Sequence, residues 1–357
     1  MKIGILTFVN TSNYGASLQA YALQQVIKSY GHECDIIRYE NESISSGHDP
    51  KAVFRRRGIK KIVAPIVYYV YKKRIEKFRA FENMYCTFSA PCDENTISEV
   101  TGKYDRIVVG SDQVWNTELT KGDKTFFLDF VKDSEKKYSY AGSVGKDYLD
   151  ESDAVFIQYL KDFKVLSCRE KETAERLSLD LSRKDISCDE DPTFLIRYKW
   201  RDFVNSPLIR GKYIFMYFIP EDGSLIDKIR EFARKENCRL VLLKKGAGAR
   251  KGIKVVNIAS PIDFINYISY AQYVITGSFH ALCFSLMLEK SVFATSSIEK
   301  NRSGRLVQLL EKLELEDRIL DASVGQLNTS LIDYSGVNMK LNEMHEESLK
   351  TIERIVK

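Results

Sequence analysis

Five short segments of this 357-residue chain bring glycine together with side chains that can bind anions, hold hydroxyls or move protons. In Asn13-Tyr14-Gly15-Ala16-Ser17, Gly15 permits close approach of a ligand and Asn13 can hydrogen-bond a sugar or phosphate, although an Asx turn opening a helix would read the same way. Gly110-Ser111-Asp112-Gln113-Val114-Trp115-Asn116 offers polar groups beside an aromatic face, which suits a cluster of carbohydrate hydroxyls, while Ser111 or Asp112 could instead cap a helix. Ser167-Cys168-Arg169-Glu170 places an arginine where a bidentate clamp on carboxylate or phosphate would be useful, and a surface salt bridge is the plainer reading. Thr276-Gly277-Ser278-Phe279-His280-Ala281 holds one of only four histidines and combines an anion site with an acid/base group. Asn301-Arg302-Ser303-Gly304-Arg305 adds two guanidinium groups, which solvent alone could also accommodate.

These segments gain meaning from the elements around them. The apolar run Ile3–Val9, a helical pattern through Leu18, Ala22, Leu23, Val26 and Ile27 stopped by Gly31, and the run Cys34–Tyr39 read as β-loop-α-β. Further strands are expected at 106–109, 138–141 and 164–168, with a helix over 152–163. A second start at Tyr213–Ile219 repeats the alternation: a helix over 225–235, strands at 239–243, 255–258 and 273–276, a helix over 262–270, and a final strand and helix within 291–313. Each of the first four segments follows or opens such an element, and ligands of open parallel sheets gather beyond the carboxyl ends of the strands. The expected architecture is α/β: two Rossmann-like, doubly wound domains facing a cleft. The N-terminal domain is expected over 1–205 with a basic helical insertion at about 51–90. The C-terminal domain is expected over 206–341, and a terminal helix over 342–357 returns to the first.

Hydrophobic residues make up 44% and charged residues 29%, the balance of a folded globular chain, which excludes wholesale disorder. A net charge of +5 is too small to imply nucleic acid. Seven cysteines without a Cys-x-x-Cys pair fit neither a disulfide framework nor a zinc site and read as reduced thiols, so a cytoplasmic location is expected. Gly-x-Gly-x-x-Gly after the first strand, a Walker loop, His-Glu-x-x-His and Gly-x-Ser-x-Gly are all missing. Residues 51–79 carry eleven basic side chains against the single acid Glu76, interleaved with aromatic and aliphatic residues. That stretch could rest on anionic lipid at the inner face of the cytoplasmic membrane or form an ordinary solvated helical pair.

Taken in order, Met1–Phe8, Asn13-Tyr14-Gly15, Leu18–Gln24, Gly110–Asn116, Ser167–Glu170, Asp191-Pro192-Thr193 and Gly277–Ala281 closely resemble the polysaccharide pyruvyl transferase family. The resemblance implies a fold similar to GT-B glycosyltransferases, phosphoenolpyruvate as donor substrate, a glycan or lipid-linked sugar as acceptor, and no metal or cofactor. It implies transfer that forms a pyruvate ketal during polysaccharide biosynthesis. The family's arginine and histidine match Arg169 and His280. Many members have an arginine two residues before that histidine, where this chain has Ser278, and Arg305 is the candidate to supply the missing charge.

The assignment that follows has His280 as general acid/base and Asp112 as the group that orients or deprotonates an acceptor hydroxyl. Arg169, Gly277, Ser278 and Arg305 are donor-binding, and Asn13, Tyr14, Gly15, Ser111, Trp115 and Asn116 acceptor-binding. Two other readings compete. One is a glycosyltransferase of the same architecture using a nucleotide sugar; the other is a catalytically silent glycan-binding protein, to which the departure at Ser278 lends support.

Overall fold

The structure, a computed structural model, describes residues 1–41, 43–44, 51, 54, 63–145, 154–220, 222–244, 248, 250–295, 300–320 and 327–357, without the side chains of 300–303. Arg55, Arg56, Arg57, Lys60 and Lys61 of the basic stretch lie outside the described residues, as do the first two positions of the helix expected from Ser152. The chain forms two compact units. The first comprises Met1–Asp49, Ala80–Ile196 and Asn342–Lys357, and the second Pro50–Arg79 and Arg197–Leu341.

The division therefore falls ahead of the expected crossing at 205, because Trp200 is fully buried against Phe284, 4.9 Å away between ring centroids, within the second unit. Residues 50–79 group with that unit too, where Lys77 Nζ reaches Asp263 Oδ2 at 2.7 Å. Arg74, which the sequence counts with the exposed basic face, is 2% exposed, with its guanidinium 5.6 Å from the Phe78 ring.

In the first unit β1 (Lys2–Leu6), β2 (Glu33–Tyr39), β3 (Phe88–Cys92), β4 (Arg106–Val109) and β5 (Lys137–Ser139) form a parallel sheet in the order β3-β2-β1-β4-β5. A parallel pair, β6 (Ser167–Cys168) and β7 (Ser187–Cys188), follows. Ile3, Ile5 and Leu6 of β1 are completely buried, as expected of a central parallel strand covered on both faces. Helix α1 (Tyr14–Ser29) packs close to this sheet, and its buried Gln24 amide donates to the Cys34 and Thr87 carbonyls at 3.0 and 2.7 Å. The helical insertion expected to 90 ends earlier: α2 (Ala64–Tyr85) stops, and the chain enters β3, an edge strand that tolerates Pro91. Two helices follow the short paired strands, α3 (Lys171–Asp180) after β6 and α4 (Pro192–Leu195) after β7.

The second unit holds β8 (Tyr213–Tyr217), β9 (Arg239–Leu243), β10 (Ile253–Val256), β11 (Tyr273–Thr276), β12 (Ser291–Thr295) and β13 (Ile319–Leu320) in the order β10-β9-β8-β11-β12-β13. Its helices are α5 (Gly223–Lys235), α6 (Pro261–Ser269), α7 (Phe279–Met287) and α8 (Lys300–Lys312). Both sheets thus have the doubly wound order, with a switch point between β1 and β4 and another between β8 and β11.

The last helix, α9 (Tyr334–Val356), begins eight residues before the expected 342 because Asp333 Oδ1 accepts from Ser335 N at 2.9 Å at its start. Its final part belongs to the first unit, where Ile352 and Ile355 are completely buried. Among the described residues no helix is long and apolar enough to cross a membrane.

Candidate active site

The first switch point is built from the loop after β4. Gly110 has φ +110°, and a methyl group there would stand 2.4 Å from the Tyr140 carbonyl, so glycine is required on both counts. Thr7, at the end of β1, donates to the Ser111 carbonyl at 2.9 Å and accepts from Gln19 Nε2 at 2.9 Å, and Ser111 Oγ donates to the Ala141 carbonyl at 3.0 Å. Ser111 is completely buried and serves as a tie between loops. Asp112, at φ +72°, accepts from Gln113 N at 2.8 Å through its carboxylate, while its carbonyl accepts from Ser143 N at 3.0 Å.

Trp115 departs from its expected acceptor role. It is completely buried, its indole N–H donates to the Phe126 carbonyl at 3.0 Å, and its ring stacks on Phe127. An aromatic residue with its one donor satisfied inside the core is a packing group. Asn116 is also otherwise engaged: its Oδ1 accepts from Leu119 N at 3.1 Å and caps the turn Thr117–Thr120. Asn13 caps α1, accepting from Gly15 N at 3.0 Å, and remains exposed, whereas Tyr14 and Gly15 are buried.

At the ends of β6 and β7 the structure brings together residues that the sequence does not pair. Arg169 Nη1 lies 3.1 Å from Asp191 Oδ2, with both side chains buried. The other carboxylate oxygen of Asp191 accepts from Thr193 N at 3.0 Å and Thr193 Oγ1 at 2.8 Å, which caps α4 with Pro192 at its first position. The Asp-Pro-Thr segment therefore both opens a helix and fixes the arginine. Glu170 accepts from Ser143 Oγ through Oε1, tying the β5 loop to the start of α3.

Asp189 is enclosed by hydroxyls: Ser167 and Ser187 donate to its Oδ2 at 2.6 and 2.5 Å, and Ser348 and Thr351 of α9 lie in the same network. Burial pushes its carboxyl above the usual aspartate range, and these hydrogen bonds pull the other way. Of these residues Ser167, Arg169 and Glu170 stand in a segment the sequence singles out and Asp191 and Thr193 in a motif of the family resemblance, whereas Ser143 and Asp189 gave no sequence signal.

At the second switch point Ser278 is the N-cap of α7, its Oγ accepting from Ala281 N at 3.5 Å, and the first turn has no acidic residue. Gly277 cannot carry a side chain, since a methyl would stand 2.6 Å from the Phe218 carbonyl and 2.9 Å from Thr295 Oγ1. His280 is half-buried in the first turn, its ring edge-on to Phe279 at 5.7 Å.

Arg305 lies in the second turn of α8, inside the helix and beyond the loop expected to hold it. Its guanidinium nevertheless stands 5.6 Å from the Phe279 ring. A cation, a helix N-terminus and an imidazole thus meet around residues 277–280, a constellation suited to an anion that must exchange a proton. Among the described residues no group of three His, Cys, Asp or Glu side chains is placed to hold a metal ion.

Solved structures share this fold at low identity. A protein assigned as a UDP-N-acetylglucosamine 2-epimerase from Listeria monocytogenes has a TM-score of 0.55 at 10% identity, covering 100% of this chain and 90% of that one. The UDP-N-acetylglucosamine 2-epimerase of Rickettsia bellii has a TM-score of 0.53 at 10% identity over 99% and 95% of the two chains. MnaA of S. aureus, solved with UDP, reaches 0.51 at 12% identity over 100% and 91%. The fold is α/β and GT-B-like. No curated protein sequence matches the chain. The family model for polysaccharide pyruvyl transferase matches residues 13–297, a span that contains every candidate site residue up to His280 and stops just short of Arg305. The chain belongs to the polysaccharide pyruvyl transferase family.

Proposed function

We propose that the protein transfers the enolpyruvyl-derived group of phosphoenolpyruvate onto two hydroxyls of a cell-surface polysaccharide precursor, forming a pyruvate ketal and releasing phosphate. The observation that carries this reading is the grouping of Arg305, His280 and the Ser278-capped start of α7. Family membership supports it. In the balanced reaction one proton adds to the donor's methylene carbon, which becomes methyl. The first hydroxyl oxygen bonds to the central carbon, and the second displaces phosphate from that same carbon. Of the two hydroxyl protons, one balances the proton on the methyl group and the other leaves with phosphate.

His280 is assigned the proton transfers, since an imidazole with an ordinary pKa of about 6.5 gives and takes protons near neutrality. Arg169 and Arg305 neutralise the donor, with Gly277 and Ser278 shaping its seat. Asp112 is assigned to the acceptor hydroxyl, and Asn13, Tyr14 and Gly15 to the rest of the acceptor. Ser111, Trp115 and Asn116 support that surface from behind. Residues 51–79 are assigned to contact with anionic lipid, where a lipid-linked acceptor would reside. Within them Ile66 and Tyr69 are 63% and 56% exposed, with Lys73 Nζ 6.0 Å from the Tyr69 ring.

Thermal-shift titration with phosphoenolpyruvate and with nucleotide sugars separates the competing activities, because only a ligand of the folded state raises the midpoint. Stabilisation by phosphoenolpyruvate alone supports the pyruvyl transferase. Stabilisation by a nucleotide sugar alone would transfer the reading to a glycosyltransferase, and indifference to both would leave a glycan-binding protein.

A further inference from the structure

Thr295 ends β12 and is 2% exposed. Its β-branched side chain suits a buried strand, but its hydroxyl needs a partner there, and buried hydroxyls in folded proteins nearly always have one. The neighbouring hydroxyls do. Thr276 Oγ1 donates to the Tyr217 carbonyl at 2.7 Å and accepts from Ser278 N at 3.0 Å, and Ser285 Oγ donates to the Ala281 carbonyl at 2.6 Å. Thr295 Oγ1, in contrast, has no hydrogen-bond partner among the described residues.

Its position is equally specific. Thr276 pairs with Ala294 across β11 and β12, which sets Thr295 level with Gly277. The hydroxyl lies 2.9 Å from where a methyl on Gly277 would stand, one residue before the cap of the nine-residue helix α7. Two residues after Gly277 is Phe279, with the Arg305 guanidinium 5.6 Å from its ring.

We propose that Thr295 is a donor-binding residue whose hydroxyl donates a hydrogen bond to a phosphate oxygen of phosphoenolpyruvate seated at the N-terminus of α7. The assignment rests on the phosphoenolpyruvate reading of the preceding section. It explains why an unpartnered hydroxyl is kept in a buried strand where valine has the same shape: the hydrogen bond is made only when the anion arrives. Glycine at 277 then serves to let the hydroxyl and the helix end reach one ligand atom. A tetrahedral phosphate fits such a set of donors, because a helix end, a hydroxyl and a guanidinium can each take a different oxygen.

The test is calorimetric titration of inorganic phosphate and of phosphoenolpyruvate into the full chain and into Thr295→Val and Thr295→Ser. Thr295→Val should weaken both ligands about tenfold, the scale of one hydrogen bond to a charged group, while its unfolding midpoint is unchanged or raised. Thr295→Ser should stay within about threefold of the wild type. If Thr295→Val does not fold, Thr295→Ala against Thr295→Ser makes the same comparison. Wild-type affinity in the folded hydroxyl-free variant overturns the role of Thr295 and leaves the donor reading standing. Weakened phosphoenolpyruvate binding with unchanged phosphate binding overturns the assignment to the phosphate. A wild-type chain that binds neither ligand overturns the donor reading and this one with it.

Discussion

Arg169 and Asp191, 22 residues apart in the chain, meet just beyond the ends of β6 and β7 with Nη1 and Oδ2 3.1 Å apart and both side chains buried. One carboxylate oxygen holds the guanidinium while the other holds the start of α4, so the arginine's position is locked to the backbone through a single aspartate.

Arg169→Ala is expected to leave the buried Asp191 carboxylate without its counter-charge and cost about 3–5 kcal/mol of stability, read by urea unfolding. Asp191→Asn keeps an oxygen for the cap and removes only the charge, so it should stay folded and still lose affinity for phosphoenolpyruvate. Lysine at 169 should recover little, being a point charge without the planar fork. Full donor affinity in a folded Asp191→Asn protein would show that the pair is structural.

His280→Ala is expected to fold and bind phosphoenolpyruvate yet lose turnover by at least about a hundredfold, the scale of a removed general acid. Phosphate release from the purified protein with its acceptor measures it, and near-normal rates would take His280 out of the chemistry.

Arg305→Ala should weaken phosphoenolpyruvate binding. Ser278→Arg in that background should restore part of the affinity at a loss of about 1 kcal/mol of stability, since Ser278 is also the helix cap. Calorimetry showing normal donor binding by Arg305→Ala would refute the compensation.

Asp189 should make stability fall with pH. Burial raises its carboxyl in the folded state, so the native protein holds that proton more tightly than the unfolded chain does. Its stabilising contribution is complete below the unfolded value of about 3.9 and is lost as pH rises through the folded value. Asp189→Asn removes the dependence while the surrounding hydroxyls can still hydrogen-bond the amide. The stability difference, wild type minus variant, should therefore decline on going from about pH 4 to about pH 7, and a difference that grows over that range contradicts the assignment.

The exposed face of α2 should bind lipid. Ile66→Glu and Tyr69→Glu are expected to reduce flotation with vesicles containing anionic phospholipid, with the larger effect at low salt. Absence of wild-type flotation would dismiss the contact.

Much of this arrangement is legible in the sequence where burial is two-sided. Arg106–Val109, Arg239–Leu243 and Tyr273–Thr276 read as strands and fold over those same residues, because central parallel strands are apolar on both faces. β3 escapes because Ser89 and Pro91 break the apolar run and an edge strand does not need it. β7, two residues long, falls below any periodicity, whereas the equally short β6 ends the apolar run expected as a strand at 164–168. The candidate loops are found by their place after strands, yet what each side chain does there depends on partners far along the chain. Trp115 reads as a sugar platform until Phe126 and Phe127 enclose it, and Arg169 reads as a free clamp until Asp191 is placed beside it. Composition records that these residues exist, and only the fold pairs them.

The first unit combines Met1–Asp49 and Ala80–Ile196 with Asn342–Lys357, which holds the end of α9. His32 of that unit hydrogen-bonds the Val356 carbonyl at 3.0 Å, and Glu190 N donates to Ser348 Oγ at 3.1 Å. On the ribosome this reverses the usual order in which N-terminal domains mature first. The second unit has all of its residues once Leu341 has emerged, whereas the first, begun earlier, waits for Asn342–Lys357. Removing Asn342–Lys357 therefore strips the Ser348 and Thr351 hydroxyls from Asp189 and leaves the earlier-made part of the first unit unfinished.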